Sequence, residues 1–125
     1  AKAPLTCSAV GKVALAFMPR KQADQMIAKA GIQQMTRKSH VTANSLWRDI
    51  ETIKKREFAF DDEEHSDGLR CVAAPIFGAS GEVMGALSIS GPSVRVNENQ
   101  MVANGRAVHR VAKEMTRALG GTWPS

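Results

Sequence analysis

The sequence predicts an α+β fold, an antiparallel sheet covered by helices, and three observations carry that prediction. The first half of the chain has helical periodicity. Two alternating apolar runs follow, joined by the glycine-bracketed segment GASG, and a long amphipathic stretch then closes the chain. The order is three helices, three strands and one long helix.

Residues 8–17, SAVGKVALAF, read as a short helix that Pro19 bounds, because proline has no N–H to give a helix interior. A second helix covers 20–30 and closes on Gly31 at a capping position. Residues 32–41 are a polar connection. A third helix spans 43–56 with Leu46, Trp47, Ile50 and Ile53 on one face, and its terminal lysines offset the helix dipole. Strands are expected at 69–77 and 83–90, with a shorter one at 58–60. Asn97 stands three residues before Gln100, the spacing of a capping box. It opens a final helix that turns Met101, Val108, Val111 and Met115 inward and ends at Gly120 and Gly121.

A chain of 125 residues suits one domain, taken as 1–125, and its 43% hydrophobic and 23% charged residues are those of a globular protein rather than a disordered tail. No apolar run is long enough to span a bilayer and the opening AKAPLTCSAVGK lacks a secretory layout, so a cytoplasmic location is expected. Cys7 and Cys71 form no CxxC pair, and His40, His65 and His109 are scattered through different elements. Neither a disulfide framework nor a metal or other cofactor is indicated. The net charge of +5 is compatible with nucleic acid, and Arg106, Arg110, Lys113 and Arg117 line one face of the last helix. Such a stripe is more often a solvated face than a DNA contact.

A turn centred between Ala79 and Ser80 pairs Cys71 with Ser88, Ala73 with Ala86 and Leu69 with Ser90. One sheet face then carries Leu69, Cys71, Ala73, Ala86, Ser88 and Ser90, and the other carries Val72, Ala74, Ile76, Val83, Leu87 and Ile89. The second is an ordinary core face. The first is lined by small side chains with hydroxyls and a thiol, which suits either a pocket floor or a closely packed helix. At the start of the first helix, TCSAVGK combines helix-terminal amides with small residues, an arrangement suited to a carboxylate, although Ser8 or Thr6 also suits the role of a simple cap. The run Asp61, Asp62, Glu63 and Glu64 points in several directions and reads as solvated, with Asp61 or His65 available to bond a ligand hydroxyl.

Three blocks, LTCSAVGKVALAF, FAFDDEEHSDGLRCVAAPIF and GALSISGPSVR, together resemble the effector-binding domain of IclR-type (isocitrate lyase regulator) bacterial transcription factors, a relative of the GAF fold. The resemblance spans nearly the whole chain. It implies a sensor for a small organic acid, not an enzyme, held between the first helix and the sheet. The positions it points to are Ala9, Val10 and Gly11 through backbone amides, and Asp61, Cys71, Ser88 and Ser90 through side chains. It also implies a homo-oligomer, dimer or tetramer, and DNA reading by a separate winged helix-turn-helix module. One departure is visible: a family version of the helix start has glycine at the position of Ala9 and a small residue at that of Val10. Two other readings are a GAF-fold redox enzyme using Cys71, with Cys7 to resolve it, and a nucleic-acid-binding module using the basic stripe.

Overall fold

The computed structural model describes residues 5–124, so that 1–4, the start of the stretch read above for a secretory layout, lie outside the described residues. Seven elements follow in order: α1 (Ala9–Phe17), α2 (Arg20–Ala30), α3 (Ala43–Arg56), β1 (Ala59–Asp62), β2 (Leu69–Phe77), β3 (Val83–Pro92) and α4 (Glu98–Ala118). The fold is α+β, as the sequence predicts. The three strands form one antiparallel sheet in the order β1-β2-β3.

Local chemistry sets the element boundaries. Ser8 caps α1 by accepting a hydrogen bond from the Gly11 amide at 3.0 Å, and Thr42 does the same for α3 with the Ser45 amide at 3.2 Å. Gly31 closes α2 at φ 75°, its amide donating to the Ile27 carbonyl at 2.8 Å. The capping box of α4 is complete, with Gln100 N donating to Asn97 Oδ1 at 2.8 Å and Asn97 N donating to Gln100 Oε1 at 2.9 Å.

Helices cover both faces of the sheet. On one side Ala9, Val13, Leu46, Ile50, Ala59 and Ala73 share a core between the sheet and the first three helices. On the other, Phe58, Val72, Ala74, Met101, Val108 and Ala112 pack α4 against the sheet. The inward stripe of α4 differs from the expected one: Val111 is only half-buried and Met115 is exposed, while Gly105, Ala112 and Thr116 face inward. Thr116 is drawn in because its hydroxyl accepts the Phe77 amide at 3.1 Å, which a methionine side chain does far less well. Gly105 is needed where it is, since a Cβ there would run into the Phe58 ring.

The β2–β3 register is displaced by two residues from the expected one. Cys71 faces Ser90, Ala73 faces Ser88, Pro75 faces Ala86 and Leu69 faces Pro92. Two separate causes add up. The turn is one residue wider than GASG, so Phe77 faces Val83, and Met84 then bulges out, so Ile76 faces Gly85. Since a shift of two preserves the alternation of side chains, Cys71, Ser88 and Ser90 still share one face. Val83 lies before the bulge and is the exception. It joins the α1 side, beside Val13 and Ala14, rather than the face of Val72.

Candidate binding site between the first helix and the sheet

Two cross-strand rows make the floor of the site. In the first, Asp61, Cys71 and Ser90 stand side by side on β1, β2 and β3; in the second, Ala59, Ala73 and Ser88 do. The polar row is internally bonded. Ser90 Oγ donates to Cys71 Sγ at 3.2 Å, and Asp61 stands opposite the thiol on β1. Asp61 is 1% exposed, and its Oδ1 accepts the Glu64 amide at 2.8 Å and the His65 amide at 3.2 Å. Burial raises the Asp61 carboxyl above its ordinary range despite those two amides. Burial and the adjacent Asp61 likewise raise the Cys71 thiol, against the opposing bond from Ser90.

Above this floor is a cavity of about 190 Å³, lined by Ala9, Val10, Asp61, Cys71, Ser88 and Ser90, together with Ser8, His65 and Leu69. The start of α1 forms its roof. Ala9 and Val10 occupy the first two helical positions, whose amides have no acceptor within the helix and carry the positive end of its dipole. Six of the seven expected residues therefore meet around one space. Gly11 stands apart. Its amide already donates to Ser8 Oγ, and a Cβ at this position would collide with the backbone of Leu5, so glycine here permits a close chain crossing.

The acidic run departs from the expectation of a solvated stretch. Asp61 and Glu64 are buried and Asp62 and Glu63 half-buried. Glu64 is held by Lys12, wholly buried, whose Nζ lies 2.7 Å from Asp49 Oδ2, 2.8 Å from Glu64 Oε1 and 2.5 Å from the Phe60 carbonyl, while Arg70 Nε donates to Asp62 Oδ1 at 2.8 Å and Lys38 Nζ to Glu63 Oε2 at 3.2 Å. His40 extends the cluster, its Nε2 lying 2.9 Å from Asp49 Oδ2 and its Nδ1 2.6 Å from Ser45 Oγ. Burial pushes Asp49 up, but the bond from His40 and the charge of Lys12 outweigh it and hold the carboxyl at about 2. Glu64 is raised, because its burial outweighs the attraction of Lys12.

His40, Asp49 and Glu64 bring ligand-type atoms within 4.8 Å of one another, yet the Lys12 ammonium bonds both carboxylates and supplies the cation in their midst. The polar connection 32–41 completes the arrangement. Thr36 Oγ1 donates to the Glu63 carbonyl at 2.6 Å, and Ser39 Oγ donates to the Glu64 carbonyl. Glu63 itself adopts φ 57°, and its carboxylate accepts the Gly68 amide at 2.7 Å. Sequence reasoning missed Lys12, Thr36 and Ser39. The only signal for the lysine was a charge inside an otherwise apolar helix face.

Fold and comparisons together define a class, the C-terminal domain of a bacterial transcriptional regulator. The chain belongs to the IclR family: the family model described as "Bacterial transcriptional regulator IclR C-terminal" matches residues 1–117. It is 38% identical over 120 residues to the transcriptional repressor IclR of Escherichia coli, covering 96% of this chain and 44% of that protein. The acetate operon repressor of Salmonella typhimurium is also 38% identical, over 121 residues, covering 97% of this chain and 44% of that protein. Among solved structures, the Thermotoga maritima IclR superposes with a TM-score of 0.87 at 32% identity, covering 93% of this chain and 47% of that one. The chain thus spans less than half the length of these relatives. No helix among the described residues is long and apolar enough to cross a membrane.

Proposed function

We propose that this chain is the ligand-sensing domain of a DNA-binding transcriptional regulator, and that a small organic acid occupies the cavity between α1 and the sheet. The observation that carries this reading is the opposition of two unlike polar ends across one cavity of about 190 Å³. The dipole-assisted amides of Ala9 and Val10 suit a carboxylate. Asp61, Cys71, Ser88 and Ser90 suit the hydroxyl or carbonyl oxygen of the same molecule, with Asp61 accepting and the serines donating or accepting. Keeping the ligand's anionic end at the amides separates it from the Asp61 carboxyl.

In the intact regulator, effector binding would change DNA affinity or the arrangement of subunits in a dimer or tetramer. That requires a difference in ligand affinity between two states of the protein. DNA would be read by a domain outside this chain. The redox reading of Cys71 has less support, since a reactive thiol needs a depressed pKa and both Cys71 and Cys7 are raised, Cys7 to about 11. The basic stripe of α4 is exposed, and Lys113 Nζ lies 5.4 Å from the centre of the Trp123 ring. Association of this chain with duplex DNA that weakens steeply with salt would favour the nucleic-acid reading instead.

A thermal-shift screen of short carboxylates tests the proposal. A ligand at about one hundred times its Kd adds about 2.7 kcal/mol to stability, enough to raise the melting temperature by several degrees. No shift from any member of a broad panel of short mono- and dicarboxylates would sink it.

A further inference from the structure

Val10 lines two cavities. One is the polar space described above. The other, about 230 Å³, lies further along the same groove between α1 and β3 and is lined by Val10, Val13 and Ala14 from the helix and by 83–86 from the strand. The two spaces are in series. Along α1 the polar one takes residues 8–10 and the second takes 10, 13 and 14; along β3 the polar one takes Ser88 and Ser90 and the second takes 83–86. Val10 is the one residue common to both linings. The second space has no charged side chain in its lining, so an alkyl chain would be its natural occupant.

We propose that Val10 sets the length of the acid this site accepts, by closing the polar compartment against the apolar one behind it. Valine suits that role physically. Its branched side chain is held close to one χ1 rotamer in a helix, so it forms a fixed wall rather than a hinged one. A carboxylate whose head is bound by the amides at the start of α1 must then end within the polar compartment. With the two valine methyls removed, its chain would continue past position 10 toward Val13, Ala14 and Val83. The inference rests on the carboxylate reading of the site, and it adds a specificity determinant to that reading.

The test is calorimetric titration of the wild-type chain, Val10→Ala and Val10→Thr with straight-chain monocarboxylates from acetate to hexanoate. Alanine is the stronger helix former and Val10 is 42% exposed, so the alanine variant is expected to fold, which its melting curve checks. Threonine keeps the shape of valine and separates bulk from polarity. In the wild type and Val10→Thr, affinity should stop rising after the shortest acids. In Val10→Ala, each further methylene that enters the apolar space should tighten binding by up to about fourfold, so that hexanoate gains about tenfold or more over propionate relative to the wild-type ratio. The same length profile in Val10→Ala and wild type would overturn the proposal, as would a wild type that already gains with every methylene. With 2-hydroxy and 2-oxo acids of the same lengths included in the titrations, binding of none of them to any of the three would overturn the functional reading itself, and the two failures are distinct.

Discussion

The Nζ of Lys12 lies 2.8 and 3.1 Å from the two carboxylate oxygens of Glu64, joining residues 52 apart in the sequence with the lysine wholly out of solvent. This pair ties α1 to the loop after β1. The same loop supplies the Glu64 and His65 amides that hold Asp61, so the clamp on Glu64 also positions the acid in the floor of the cavity. Lys12→Met would leave the buried Glu64 and the half-buried Asp49 without their cation, and breaking a buried pair by removing one partner costs about 3–5 kcal/mol. Urea unfolding should show a loss of that order, partly recovered when Glu64→Gln is added, because neighbouring sites couple. A loss below about 1 kcal/mol would mean that the cluster adapts freely.

The depressed carboxyl of Asp49 gives stability a pH dependence of known sign. Its folded value, about 2, lies below the ordinary 3.8, so its contribution is fully present above about pH 4 and is lost as pH falls toward 2. The raised Asp61 and Glu64 act in the opposite sense, so the comparison must be made by difference. The stability gap between wild type and Asp49→Asn, followed by denaturant unfolding from pH 5 to pH 2, should narrow as the solution is acidified. A constant gap would contradict the assignment.

Asp61 and Cys71 face each other across β1 and β2, and the carboxyl helps keep the thiol protonated. Alkylation of Cys71 by iodoacetamide at pH 8 should therefore be slower than that of a free cysteine, and Asp61→Asn should accelerate it. Mass spectrometry of the modified peptide distinguishes Cys71 from the buried Cys7. An unchanged or slower rate in the variant would remove Asp61 as a cause.

Gly105 lies in α4 against the Phe58 ring. Alanine is the better helix former by about 1 kcal/mol, yet here its Cβ has no room, and overpacking of this kind costs about 1–3 kcal/mol. Gly105→Ala should therefore be destabilising in thermal or urea unfolding. A stabilised variant would show that the ring moves aside without penalty.

Sequence reasoning placed the elements to within a residue or two because caps and periodicity are local, as at Ser8, Gly31 and the Asn97–Gln100 box. The sheet register was misread by two because nothing in the sequence announces that the turn is one residue wider than GASG or that Met84 bulges out. The sharing of one face by Cys71, Ser88 and Ser90 survived only because the two errors added to an even shift. Burial of Asp61 and Glu64 was not legible at all. Four consecutive acids look solvated until Lys12 of α1 is placed against Glu64, and no spacing rule reaches across 52 residues.

The account turns on whether a carboxylate bridges the start of α1 and the serines of β3. Calorimetric titration of the wild-type chain and of a Ser88→Ala, Ser90→Ala double variant, using a carboxylate found by the screen, tests this most directly. Each serine bond to the ligand is worth about 0.5–3 kcal/mol depending on charge, so the double variant should bind about tenfold more weakly or worse. Both serines are exposed on an edge strand, so its unfolding curve should match that of the wild type. Unchanged affinity in a folded double variant would place the ligand elsewhere and contradict the account.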